Sequence, residues 1–395
     1  MVVASSPARL LCPCQAQEGH HAGRLCALLR LDGHKKTVVA CVLLTDSQGE
    51  VRKQVRKQVR TFGTMTADLL GLSDWLGALG VTHVAMHVAM HVARESTGVY
   101  WRPVFNLVAE DERPLVLVNP QPMRAVPGRK TDVKDSEWLA DLLRHGLVPP
   151  SVIPPAPIRA LREVTRQRKA LVQQRTQEVN RLQKVLEGAN IKLGDVASDI
   201  LGKRGRCMLE ALAGGEQDPQ TLAALARGRL RGKLPALRRA LHGQVQAFHR
   251  VLLQQVRAHL DFLDAAIAHL QHEIAHCLGP YQEAVMLLQT IPGGGEIAAS
   301  VVVAEVGVDM QRFPSAKHLA SWAGVCPGNK QRAGKRLGGK TAGGHVWLKA
   351  VLAEVAWANA RNPTTYLGAQ FRRLAHRRGV YKALVAVAHS VLVIV

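Results

Sequence analysis

Aromatic residues are scarce in this chain: Phe, Trp and Tyr make up 4% of its 395 residues. Hydrophobic residues still reach 47%, so the cores must be built from Ala, Leu and Val. Acidic residues are also scarce, 30 against 52 Lys and Arg, which leaves a formal net charge of +22. Such an excess calls for a polyanionic partner, and nucleic acid is favoured over an anionic membrane surface. No apolar run reaches the roughly 18 residues of a membrane-spanning helix. The stretch ALVAVAHSVLVIV is shorter, is interrupted by His389, and reads as a buried helix or strand. The seven Cys are scattered and form no disulfide framework. Cys12 and Cys14 lack further ligands for a zinc ribbon. The N-terminal residues hold no apolar core of a signal peptide. A reducing cytosolic setting is expected.

Patterning divides the chain. Residues 1–25 read as an irregular extension, 26–150 as an α/β domain, 151–280 as a helical arm and 281–395 as a mainly helical C-terminal domain. In the α/β part, TVVACVLL (37–44), VRKQVRTF, VTHVAMHVAMHVA (81–93) and PLVLVNP (114–120) read as strands. MTADLLGLSDWLGALG (65–80) and Asp132 to Gly146 have helical apolar spacing. This alternation predicts a mixed sheet. A cluster from Pro149 to Pro157 marks a boundary. Two long basic helices are predicted beyond it, over 158–191 and from Leu234 to Cys277, forming a coiled-coil arm or a dimer interface.

Two short tandem duplications occur, VRKQ-VRKQ (51–58) and HVAM-HVAM-HVAR (83–94). The second sets His83, His87 and His91 four apart, which on a helix would be a metal-like stripe. Val and Met alternate through the same segment, however. A strand is the better reading, with His and Ala on one face and Val and Met on the other.

Against the basic background, four acids stand at the ends of apolar runs. Asp32 lies in LRLDGHKKTVVACVLL, Glu95 in HVARESTGVYW, and Asp132 and Asp135 in GRKTDVKDSEWLADLL. Asp132 and Asp135 share one face if helical. Brought together, the four would hold two Mg²⁺ ions for in-line displacement at phosphate. Each alone has an ordinary alternative: a surface pair, a solvated helix start, an N-cap. Lys35, Lys36, Arg129 and Lys130 flank these motifs and are placed to position a phosphate backbone.

Further along, IPGGGE (291–296) between apolar segments resembles a helix–hairpin–helix turn, in which N–H groups around Gly293 and Gly295 would hold a phosphate. The alternative is a plain helix–helix turn. The basic loop 329–344 offers Lys330, Lys335, Arg336 and Lys340 as phosphate contacts, or as a solvated loop.

The blocks LDGHKKTVVACVL, ESTGVYWRPVFNLV, VNPQPMRAVPGRKTDVKDSEWLADLLRHGL, LLQTIPG and RFPSAKHLASWAGVCPGN resemble the RNA-guided transposases of the insertion-sequence family "one-ten", from about Leu29 onward. The resemblance implies an RNase H-like, RuvC-like N-terminal domain. Its Mg²⁺-binding quartet would be Asp32, Glu95, Asp132 and Asp135. A coiled-coil arm and a C-terminal transposase domain would follow. It further implies a dimer or tetramer holding a structured bridge RNA that pairs with donor and target DNA, and a nucleophilic serine in the C-terminal domain. Here the run is GNKQRAGK, and Arg332 stands at the serine position. Arginine cannot attack phosphate as a hydroxyl does. Ser315 and Ser321 lie nearby, in a helix-forming block. Gly33 after the first Asp is expected to weaken the first strand, and the HVAM duplication to lengthen the strand before Glu95. Together these departures describe a decayed copy.

Three readings follow: a DNA transposase, a metal-dependent junction nuclease needing no serine, and a nucleic-acid-binding relic without catalysis.

Overall fold

The computed structural model describes residues 26–31, 36–45, 55–81, 83–88, 101–109, 115–117, 153–197, 199–328, 330–332, 335–339, 341 and 344–395. Its contacts divide the chain into two units, Met1–Ile153 and Pro154–Val395.

The first unit carries a five-stranded sheet: β1 (Cys26–Leu31), β2 (Thr37–Thr45), β3 (Val55–Gly63), β4 (His83–Val88) and β5 (Leu115–Leu117). The spatial order is β3-β2-β1-β4-β5. β1, β2 and β3 pair antiparallel, whereas β4 runs parallel to β1 and β5 parallel to β4. The sheet is therefore mixed, as the alternation predicts. Helices α1 (Thr66–Ala78) and α2 (Trp101–Ala109) complete the unit.

The period-2 rule explains the core. Val38, Ala40 and Val42 of β2 are buried together with Leu69, Leu72 and Leu76 of α1, and Val104 and Val108 of α2. Val84 and Met86 of β4 are fully buried in the same cluster. The Val/Met face of the HVAM repeat is thus the core face of a strand, and the helical His stripe is excluded for residues 83–88. Gly33 does not prevent the first strand: β1 pairs along all six residues with β2 and with β4. The predicted helix from Asp132 and the repeat beyond Val88 lie outside the described residues.

The second unit opens with α3 (Ala156–Gly188), which starts at Pro155, where a proline costs no hydrogen bond. At 1.5 Å per residue it is about 50 Å long. The single helix predicted from Leu234 to Cys277 is instead two, α6 (Leu234–Ala240) and α7 (Ala247–Cys277). The break has a local cause. Lys192 N donates to Ala240 O and Gln244 N to Ala189 O, so the connection bonds the end of α3 rather than itself. A Cβ on Gly243 would stand 2.3 Å from Ala189 O; only glycine allows that approach.

α7 returns antiparallel along α3. Ile158 and Leu161 pack with Ile274 and Leu278 at the root, and Leu182 and Leu186 with Leu253 and Val256 at the tip. Two further helices, α4 (Lys203–Gly214) and α5 (Pro219–Ala224), join α6 in capping the tip. Met208, Leu212, Leu222, Leu237 and Leu241 form its core.

At the root lie α8 (Gln282–Gln289), α9 (Glu296–Val306), α10 (Ala316–Ala323), the two-stranded β6 (Lys330–Arg332) and β7 (Lys335–Gly338), α11 (Val346–Arg361), α12 (Tyr366–Arg378) and α13 (Val380–Ile394). The terminal apolar stretch is helix, with Ala383, Val387, Ala388 and Val391 buried at helical spacing. No helix among the described residues is long and apolar enough to cross a membrane.

Candidate functional site

β1 ends at Leu31, and Asp32 is the next residue. β4, parallel beside it, ends at Val88, the partner of Leu31 in the register. The C-terminal ends of these strands therefore share one edge of the sheet. Asp32, Glu95, Asp132 and Asp135 lie outside the described residues, as do Lys35, Arg129, Lys130 and Lys340. Lys36 sits exposed in the turn entering β2. Among the described residues, no group of three or more His, Cys, Asp or Glu side chains is arranged to hold a metal ion.

The glycine turn joins α8 to α9, as the helix–turn–helix reading expects, and its glycines have packing reasons. Gly293 has φ of +80°, and a Cβ there would lie 2.9 Å from Ala358 Cβ on α11. The N–H of Gly294 is taken by Ile291 O at 2.7 Å. Asn359 of α11, almost wholly buried, donates Nδ2 to Pro292 O at 2.6 Å and to Val355 O at 2.9 Å. α11 thus fastens the turn from behind. Gly295 stays open, with nothing near its Cβ position.

The predicted basic loop contains a hairpin. Gln331 pairs with Arg336 and Arg332 with Lys335. Arg332, at the serine position of the resemblance, and the cations at 330, 335 and 336 therefore lie on paired backbone. The neighbouring serines are both on α10. Ser315 stands at its N-cap with Oγ 2.8 Å from His318 Nδ1, and Ser321 is exposed on its last turn.

The most heavily buried charge in this unit was not singled out from sequence. Glu305, near the end of the apolar helix α9, has a fully buried side chain. Arg166 of α3 binds it bidentately, with both N–O distances 2.8 Å. Arg162 Nε lies 3.0 Å from its second oxygen and donates to Ala304 O, while its other nitrogen donates to Glu305 O at 2.8 Å. His345, at the N-cap of α11 and directly after the hairpin region, places Nε2 3.3 Å from Glu305 Oε2 and 3.4 Å from Arg166. Its Nδ1 is buried without a hydrogen-bond partner, and the ring packs on Trp322 at 5.2 Å. Burial holds the His345 pKa below its ordinary value of 6.5; Glu305 acts in the opposite sense, and Arg166 and Arg162 add to the lowering. A buried carboxylate is tolerable only with such partners. The cluster ties the root of α3 to α9 and to the N-cap of α11.

Two family models match the chain. Residues 31–191 match the IS110-type DEDD model described as "Transposase", and residues 285–370 match "Transposase IS116/IS110/IS902 family". Together they cover more than half of the chain. It belongs to the IS110 family of transposases. No curated protein matches it. Within this IS110 transposase, the first match contains all four predicted carboxylates. The second contains the glycine turn, Glu305, the hairpin and His345. The signal that could have found Glu305 is an acid directly after the apolar run VVVA: an unpaired carboxylate cannot sit on the buried part of a helix, so cations must reach it.

Proposed function

We propose that this transposase cleaves and joins DNA strands with an Mg²⁺-binding quartet of Asp32, Glu95, Asp132 and Asp135 in an RNase H-like, RuvC-like domain, and that a structured RNA guides it as a dimer or tetramer. The observation that carries the reading is the strand order β3-β2-β1-β4-β5, three strands antiparallel and two parallel, with Asp32 directly after the central strand. Ligands in sheets of this kind collect at the carboxyl ends of parallel strands. The donor set also fits: four carboxylates are hard oxygen ligands, the kind that Mg²⁺ takes.

Bound Mg²⁺ supplies an activated water and stabilises a leaving oxygen. The carboxylates hold and orient that chemistry. Lys35, Lys36, Arg129 and Lys130 flank it and steady the phosphate backbone. Arg332 stands where the resemblance puts the nucleophilic serine of strand transfer, and arginine cannot attack phosphate as a hydroxyl does, so in this reading joining is the impaired step of the unmodified protein.

Strand exchange with Mg²⁺ and the element's own RNA tests this, comparing the unmodified protein with Arg332→Ser. Joining only with serine supports the whole reading. Joining by the unmodified protein removes Arg332 from the nucleophile position. Full metal-dependent activity in Asp132→Asn refutes the quartet.

A further inference from the structure

The arm tip carries an exposed cationic surface in residues 192–284, the stretch between the two matched regions. Residues 219–260 contain no Asp or Glu. Within them Arg227, Arg229, Arg231, Lys233, Arg238 and Arg239 are all exposed. The backbone beneath them is fixed: Ala226, Leu237 and Leu241 are buried in the tip core. Between these anchors Gly228–Lys233 forms a 3₁₀ helix, in which positions three apart share a face. Leu230 packs on the core and Lys233 Nζ donates to Val196 O at 3.1 Å. Arg229 and Arg231 are left to solvent. One turn later, α6 buries Leu237 and exposes Arg238 and Arg239.

Several nearby acids are engaged elsewhere. Glu187 pairs with Lys192, Glu210 with Arg257, and Asp261 with Arg206. Asp218 caps α5 and also interacts with Arg238. None of the six tip cations makes a salt bridge among the described residues. Like charges held this close on an ordered backbone repel one another, and a polyanion relieves that repulsion. The composition also narrows the partner. Five of the six are arginine, which grips phosphate bidentately. Leu193 to Ala247 exposes no large apolar side chain, although α7 opens beside it with Phe248, Val251 and Leu252 exposed; the partner is therefore chosen by the arginines, whose forks match phosphate.

We propose that the arm tip is a sequence-independent grip on the phosphate backbone of duplex DNA, about 50 Å from the root of the arm. The choice of DNA rests on the transposase reading above; the grip itself rests on the exposed cations.

The test is equilibrium binding of a labelled duplex DNA over a range of KCl, without metal, so that cleavage plays no part. The variant carries Arg229→Gln, Arg231→Gln, Arg238→Gln and Arg239→Gln; a second carries Lys at the same four positions. Loss of four phosphate contacts reduces the slope of log K against log salt by about 3 to 4, and the Lys variant retains the slope. An unchanged slope in the Gln variant, with both variants melting as the parent does, overturns the grip. A loss seen only on duplex RNA overturns the assignment to DNA. Failure of the parent itself to bind DNA would sink the partner and the transposition chemistry together, a separate outcome from failure of the tip alone.

Discussion

At its root the helical arm gives Arg162 and Arg166 to one buried carboxylate, Glu305. At its tip six cations reach solvent, and no carboxylate forms a salt bridge with any of them among the described residues. The residue type is the same and the chemistry opposite. At the root, arginine neutralises a charge that burial would otherwise make intolerable, and its fork fixes how α3 meets α9. At the tip, arginine has no salt-bridge partner among the described residues, on a backbone that buried leucines hold still. Arginine content along α3 and its neighbours therefore does not by itself mark binding. The presence or absence of a paired carboxylate does.

Breaking the root should have the largest effect. Glu305→Ala leaves two partly buried guanidiniums without their anion and is expected to cost about 3–5 kcal/mol, read by urea unfolding. A loss under about 1 kcal/mol would show the cluster to be dispensable. Gly293→Ala comes next, at about 2 kcal/mol, because alanine must adopt a left-handed backbone and press on Ala358. An unaltered melting temperature would refute that packing role. In the middle of the arm, Asp264 accepts from Arg175 and Arg206, which hold its carboxyl below the usual range. All three are about a third exposed, so screening reduces the value of the pair, and Asp264→Asn should cost about 1 kcal/mol or less. Smallest of all, the four-site Gln variant at the tip should change stability by no more than about 0.5 kcal/mol, while shifting DNA binding as described.

The root also carries a pH dependence. His345 has a folded pKa below its unfolded value of 6.5, so on acidification the unfolded chain takes up the proton first. Its contribution is complete above about pH 6.5 and is lost as pH falls from there through the folded pKa. Urea midpoints of the parent and His345→Asn, compared at pH 7.5 and 5.5, should diverge less at the lower pH. A gap that stays constant would mean that His345 does not titrate in this range.

The same contrast explains what could be read without coordinates. Strands β2, β3, β4 and β5 and helices α1 and α3 and the turn after α8 follow from periodicity, because burial of one face dictates period 2 or 3.6. The break after α6 did not, since its cause is a bond to Ala189, some fifty residues earlier. The hairpin around Arg332 did not either: Lys, Arg and Gly in sequence look like solvated loop, and a pairing made by backbone bonds leaves no apolar trace. The carboxylate motifs were visible as isolated acids in a basic chain, whereas Glu305 hid inside an apolar helix. The tip was not singled out in the sequence, because its acid-free stretch becomes a surface only through the burial of Ala226, Leu237 and Leu241.

The antiparallel pairing of α3 with α7 also makes the arm a ruler. Both helices contribute to its length, and the tip is a knob with a core of its own. Adding one heptad to α3 and one to α7 would preserve the facing seam and carry the knob outward by about 10 Å, close to three base pairs of duplex. Reach can therefore change in steps without redesign of either end.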